Sequence, residues 1–178
     1  TDVVYQVLKR DGVCYSKEEY VRKKYKESAK VFINAYGWFV KEAQHIVPKP
    51  EGAEYPYWAF TDLYNVDQTG DGHVLTLDVP IGEAILFDMF DWTKIMQMHY
   101  IGENESEEAT FSEELKNMGM NEFQIMTSNF YPEQKARIQE SWKRLFGHQQ
   151  AIEAGDNSGV HSVQAGLWCI KDEWIVKE

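Results

Sequence analysis

The stretch Asp67–Asp78, DQTGDGHVLTLD, decides how the middle of the chain folds. Oxygen-bearing side chains stand at its first, third, fifth and twelfth positions and a glycine at its sixth, which is the spacing of an EF-hand calcium loop. On that reading a helix must enter the loop and another must leave it. The flanks argue against this. Tyr57 to Val66 is aromatic and strand-like, Val74 to Val79 alternates with period two, and Pro80 does not continue a helix interior. Thr69 is a weak ligand, and Asp78 is shorter than the Glu that chelates bidentately. Asp71-Gly72 is also a hairpin-turn signal. The segment therefore reads as a β-hairpin, with one strand in YPYWAFTDLYNV, a turn at TGDG and the second strand in HVLTLDV. A calcium site would need Asp67, Asp71 and Asp78 to converge.

Helices lie outward on both sides. VVYQVLKR forms a short helix stopped by Gly12, and Ser16 with Glu19 gives a capping-box pattern. Val31, Phe32, Ala35, Tyr36, Phe39, Val40, Ala43 and Ile46–Val47 recur at helical spacing, the strongest periodic signal in the chain, and read as one amphipathic helix that Pro48 and Pro50 end. AILF, from Ala84, reads as a strand, and Asp88 is placed to cap a following helix. Pro132 opens a helix whose apolar face carries Ile138, Trp142, Leu145 and Phe146, with Gly147 as its stop. HSVQAGLWCI and DEWIVKE read as late strands. Strands do not alternate regularly with helices, so the fold class is α+β: a small, mainly antiparallel or mixed sheet with helices packed around it, in a single domain spanning 1–178.

The composition is globular, with 43% hydrophobic and 14% aromatic residues. No apolar run approaches the roughly 18 residues that cross a bilayer, and the first residues are not a signal peptide. Cys14 and Cys169 stand far apart with no CxxC or Cys/His cluster, which fits free thiols in the cytoplasm. A net charge of −11 argues against a large nucleic-acid footprint. Bases crowd the first 30 residues and carboxylates crowd 103–114, so each block could meet a charged protein partner or be a solvated face. The five histidines form no HxxxH or HExxH pair, and P-loop, GxGxxG and nucleophile-elbow patterns are missing, so no metal or cofactor is assigned from motifs.

Four residues are candidates for contacting a ligand: Trp58, Asp88, Trp92 and Gln164. Indole rings offer stacking platforms as well as core volume. A Gln inside a strand must hydrogen-bond something, either as a structural tether or as a ligand contact. Asp88 is a helix cap or an acid.

Several motifs, in order, cover nearly the whole chain. They are VYQVLKRDGV; Ala35, Tyr36 and Trp38; YPYWAF from Tyr55; Val79-Pro80 with Ile85 to Trp92; Ser141 to Phe146; and Gln164, Ala165, Trp168 and Trp174. Together they resemble the bacterial family designated domain of unknown function 3841. That pattern opens with a W-T-x-Q strand, whose place would precede Thr1. It carries a basic segment where this chain has Asp62 to Asp71, and often a His where this chain has Thr93. The resemblance implies no activity. The expectation is a non-catalytic protein-interaction domain. A remoter likeness, in the Gly turn and the late Gln-Ala strand, is to ADP-ribosyltransferases of the DNA-modifying toxin type. It implies an NAD-binding cleft in a split sheet, with Gln164 as a contact. Those enzymes carry a Glu directly after Gln-Ala, and this chain has Gly166. Catalysis of that type would need an acid from elsewhere, and the motifs indicate none.

Overall fold

The computed structural model describes residues 2–69 and 74–177. In chain order the elements are α1 (Asp2–Asp11), β1 (Val13–Tyr15), α2 (Glu18–Tyr25), α3 (Ala29–Ala43), β2 (Tyr57–Phe60), β3 (Thr76–Leu77), β4 (Ala84–Asp88), α4 (Met89–Met96), α5 (Glu105–Asn117), α6 (Glu122–Thr127), α7 (Pro132–Ser141), α8 (Gln149–Glu153), β5 (Val163–Leu167), β6 (Cys169–Lys171) and β7 (Ile175–Lys177). A 3₁₀ run, Trp142–His148, joins α7 to α8. The α+β class holds, and every described strand pairing is antiparallel.

β5 is the centre. It pairs with β2 on one side and β4 on the other, then breaks at Trp168 and continues as β6, which pairs with β1. The break lets the Trp168 indole N–H reach the Val47 carbonyl at 2.7 Å. The late segment HSVQAGLWCI is thus two strands sharing one path. β7 pairs with β3.

Alternation along the strands makes two apolar layers. Trp58, Ile85, Phe87 and Trp168 face α3 and α4, whose Ala35, Tyr36, Phe39, Ala43, Trp92 and Ile95 are buried against them. The expected face of α3 is the one observed through Ala43, where the helix ends; Ile46 and Val47, expected on it, lie in the turn before Pro48, and the Val31 side chain lies outside the described residues. Ala84, Leu86, Val163, Ala165 and Leu167 face the other way, onto Ile152 of α8. Burying each large apolar side chain contributes about 1.5–3 kcal/mol, so the first layer, with its fully buried Phe39, Phe87 and Trp142, carries most of the hydrophobic stabilisation. Gly12 ends α1 at φ 74°, a left-handed conformation that glycine adopts without strain.

The hairpin reading is corrected. β2 pairs with β5 and β3 with β7, so the two strands of Tyr57 to Val79 never meet. Both are also shorter than expected: β2 stops where Asp62 caps a 3₁₀ turn at Leu63–Asn65 by accepting the Tyr64 N–H at 2.9 Å, and β3 is Thr76–Leu77 alone. The turn itself, with Asp71, lies outside the described residues. No helix flanks it: the 3₁₀ turn precedes it and β3 follows, and the Asp67 carboxylate accepts from the backbone and hydroxyl of Thr69. Local alternation cannot name a strand's partner, and here both partners come from the end of the chain.

The Ser16 capping box is also absent. α2 begins one residue later than that box requires, Ser16 bridges to Tyr55, and the Glu54 carboxylate, remote in sequence, accepts the Glu18 N–H at 2.8 Å. Gly147 does not stop the helix, which tightens into the 3₁₀ run and passes on to α8.

Candidate functional site

The structure brings three of the four candidates together. Trp58 on β2 and Trp92 on α4 lie 4.6 Å apart, ring centroid to centroid. Tyr36 and Phe39 of α3 and Phe87 of β4 complete a cluster of five rings, at 5.0–6.1 Å from these indoles. Gln164 pairs across the sheet with Phe60 on one side and Phe87 on the other, on the face that carries Trp58. It is 4% exposed. Its Oε1 and the Trp58 Nε1 are both buried without a hydrogen-bond partner. Buried polar atoms are nearly always paired, so an orphan donor and an orphan acceptor on one face stand out. Burial pushes the Tyr36 hydroxyl up to about 12, against the pull of the nearby Trp58 N–H. That N–H closes no bond.

Gly166 explains why the rings pack so closely. A Cβ there would stand 2.9 Å from Phe39 Cζ. The position where an ADP-ribosyltransferase would carry its Glu is thus covered by an aromatic ring.

Asp88 is not part of this group. It alternates onto the opposite face and serves as the N-cap of α4, accepting the Phe90 N–H at 3.0 Å. Its other contacts are the N–H groups of His161 (3.1 Å) and Ser162 (3.4 Å) and the His161 ring nitrogen Nδ1 (2.9 Å). Burial alone would raise this carboxyl. The hydrogen bonds from His161, Phe90 and Ser162 outweigh it and hold the carboxyl below its ordinary value. Asp88 therefore clamps the loop before β5 onto the start of α4.

His161, which sequence reasoning missed, does more than hold Asp88. Its ring stacks on Phe90 at 4.8 Å. The 3₁₀ turn Leu63–Asn65 is tied alongside by a 2.8 Å bond from Asn65 Nδ2 to Ser162 Oγ. This gathers Leu63 (59% exposed), Tyr64 (91%) and Phe90 (52%) at one end of the three-stranded sheet. An exposed Phe two residues after a capping Asp was the available signal.

The acidic run is not a free patch. Glu108 binds Lys94 at 2.6 Å, Glu114 binds Arg137 at 2.5 Å, and Glu103 and Glu107 each lie 3.5 Å from Arg144. The bases come from α4, α7 and the 3₁₀ run, which a view along the sequence does not show. Arg137 and Arg144 also line a shallow depression of about 530 Å³ with Lys143, Tyr100, Glu140 and Ser141, where the cations are already paired. Cys14 and Cys169 are free and buried, and Cys14 Sγ lies 3.0 Å from the Tyr57 hydroxyl. Among the described residues no cluster of three or more His, Cys, Asp or Glu could hold a metal, and no helix is long and apolar enough to cross a membrane.

No curated protein and no solved structure matches this chain. A family model described as Domain of unknown function (DUF3841) matches residues 1–176. With that span and the motifs already traced onto the sheet and helices, the chain belongs to the DUF3841 family.

Proposed function

We propose that this chain is a non-catalytic protein-interaction domain. The observation that carries the reading is the exposed group of Leu63, Tyr64 and Phe90, held in place by the Asn65–Ser162 and Phe90–His161 contacts. Tyr is favoured at interfaces because it offers apolar area and a polar tip at low entropic cost. Asp88, the candidate acid, has its oxygens engaged in the clamp. The test is a photo-cross-linking residue placed at position 64 in cells, with the same residue at exposed Thr110 as control. A protein cross-linked from 64 and not from 110, and whose binding in purified form is lost with Tyr64→Ala, supports the reading. Equal capture from both positions, or none, ends it.

A second reading rests on a different observation, the orphan pair Trp58 Nε1 and Gln164 Oε1 among the five rings. A primary carboxamide offers an acceptor oxygen for the indole N–H and a donor NH2 for the Gln164 oxygen, which is what the pair needs. The nicotinamide of NAD is such a group; on this reading the closely packed rings must part to admit it, and it would bind without transfer chemistry because Gly166 supplies no carboxylate. Millimolar NAD at about 100 times its dissociation constant adds roughly 2.7 kcal/mol, a rise of roughly 5–10 °C in the unfolding midpoint. Gln164→Ala would abolish that rise. An unchanged midpoint removes this reading.

A further inference from the structure

The two edges of the three-stranded sheet are treated differently. Met89 donates to the Ser162 carbonyl, so residues 85, 87 and 89 bond toward β5 while Ala84 and Leu86 point outward. That outer edge is closed. Gln149 Oε1 accepts the Leu86 N–H at 2.5 Å, and its Nε2 donates to the Ala84 carbonyl at 3.2 Å. On the other side Thr61 donates to the Val163 carbonyl, which sets residues 57, 59 and 61 toward β5. The main-chain groups of Trp58 and Phe60 therefore point away from the sheet. Among the described residues neither has a backbone or side-chain hydrogen-bond partner on that side. β2 is half-buried along its length. An unpaired edge of this kind is a template for an added strand.

We propose that β2 takes an extended segment of a basic, apolar-alternating partner as an additional strand. The inference rests on the interaction reading above and names its mode. Charge selects the occupant. Residues 50–93, which run from before β2 into α4, contain no Lys or Arg; Glu54, Glu83 and Asp91 of this stretch lie beside Lys17, Lys171 and Lys94, and Asp88 is held in the clamp, so the charge a partner meets at β2 is that of the exposed carboxylates past its end. Exposed Asp62 stands two residues beyond the end of β2, and exposed Asp67 lies in the same loop. Leu63 and Tyr64 extend an apolar surface just beyond the end of β2. A second copy of the chain would bring the same carboxylates against themselves. A segment with alternating Lys and apolar residues meets the carboxylates with one face and the apolar surface with the other, while its backbone pairs with Trp58 and Phe60.

The test uses the full chain and three peptides: acetyl-Lys-Val-Lys-Val-Lys-Val-Lys-amide, a twin N-methylated at the valines, and a twin with Glu for Lys. The readout is amide exchange at Trp58 and Phe60. In the free chain both amides exchange at least about 100-fold faster than Leu86, whose amide Gln149 holds. The Lys peptide slows both by tenfold or more. The N-methylated twin does not slow them, and the Glu twin binds at least tenfold more weakly. Phe60→Pro removes an outward N–H, a position where an edge strand accepts proline. It loses peptide binding, while Phe60→Ala retains it. Slow exchange at Trp58 and Phe60 in the free monomer overturns the proposal, as does peptide binding that leaves them fast or no binding at all. Slowing that rises with chain concentration alone assigns the edge to a second copy and overturns it too. A partner cross-linked from position 64 that leaves both amides fast would sink strand addition while keeping the interaction reading.

Discussion

Gln149 stands to Leu86 as a neighbouring strand would. Its side-chain amide offers an acceptor to the Leu86 N–H and a donor to the Ala84 carbonyl, the two groups that an adjacent peptide unit would have met. Buried at 7% exposure, it replaces a strand with one residue. Gln149→Leu keeps the apolar volume and leaves both groups unmet. The expected loss is about 2–3 kcal/mol, seen as a fall of roughly 4–12 °C in the unfolding midpoint. Equal midpoints for the variant and the parent would show that the edge is satisfied some other way.

Gly166→Ala tests the contact between α3 and the sheet. The added methyl meets Phe39 at 2.9 Å inside a cluster with little slack. Overpacking of this kind costs about 1–3 kcal/mol. Adding Phe39→Leu in the same chain relieves the clash, so the pair is less destabilised than the two single losses predict. Urea unfolding of the four chains in the cycle gives the answer, and simple additivity would contradict the geometry.

The Asp88 clamp makes a prediction about acid. Its carboxyl titrates lower in the folded chain than its ordinary value of 3.8. The unfolded chain therefore takes up the proton first. The stabilisation is present above about pH 4 and is lost as pH falls through the lower folded value. Asp88→Ala removes the cap and strands the His161 and Ser162 amides, at a cost of about 2–3 kcal/mol near neutral pH. The gap between variant and parent narrows below pH 4. A constant gap down to pH 2 would show that ionised Asp88 is not what holds the loop.

The opposite sign applies to His99. Its ring binds Glu122, which raises the imidazole above its ordinary 6.5 against the effect of burial, with Glu108 assisting and Lys94 opposing. The unfolded chain loses this proton first as pH rises. The stabilisation is complete below about pH 6.5 and fades as pH climbs through the folded value. The ring is half exposed, so the effect stays under about 1 kcal/mol. Unfolding midpoints at pH 6 and pH 8 differ more for the parent than for His99→Gln. An identical difference in both would remove His99 as the cause.

Elements with a strong local cause were legible. The face of α3 followed from spacing, the α4 cap from Asp88, the α7 start from Pro132 and the end of α1 from Gly12. The failures share a cause too. Ser16, Gly147 and the Asp67–Asp78 segment were read from neighbours in sequence, whereas each is settled by residues far away: Glu54 and Tyr55, α8, and β5 with β7. Of the four site candidates, Trp58, Trp92 and Gln164 share the inner face because period-two alternation and one helical turn place them there. Asp88 departs from them by a single step of the same alternation. Gln149 and His161 gave no signal, because an amide that imitates a strand and a ring that braces a cap exist only once the chain has closed around them.

The position of β5 in the chain has a consequence for how the protein is made. β2 and β4 each bond to β5 and not to each other, and β5 begins at Val163. A ribosome must therefore release most of the described chain before any part of this sheet can form. Until then Trp58, Ile85 and Phe87 have α3 and α4 to rest on but no strand to bond to. Pairings of such long range are slow to form and leave apolar edges open to association meanwhile. Nascent chains stalled before residue 163 are expected to recruit holding chaperones, and chains stalled with β5 clear of the exit tunnel are expected to shed them.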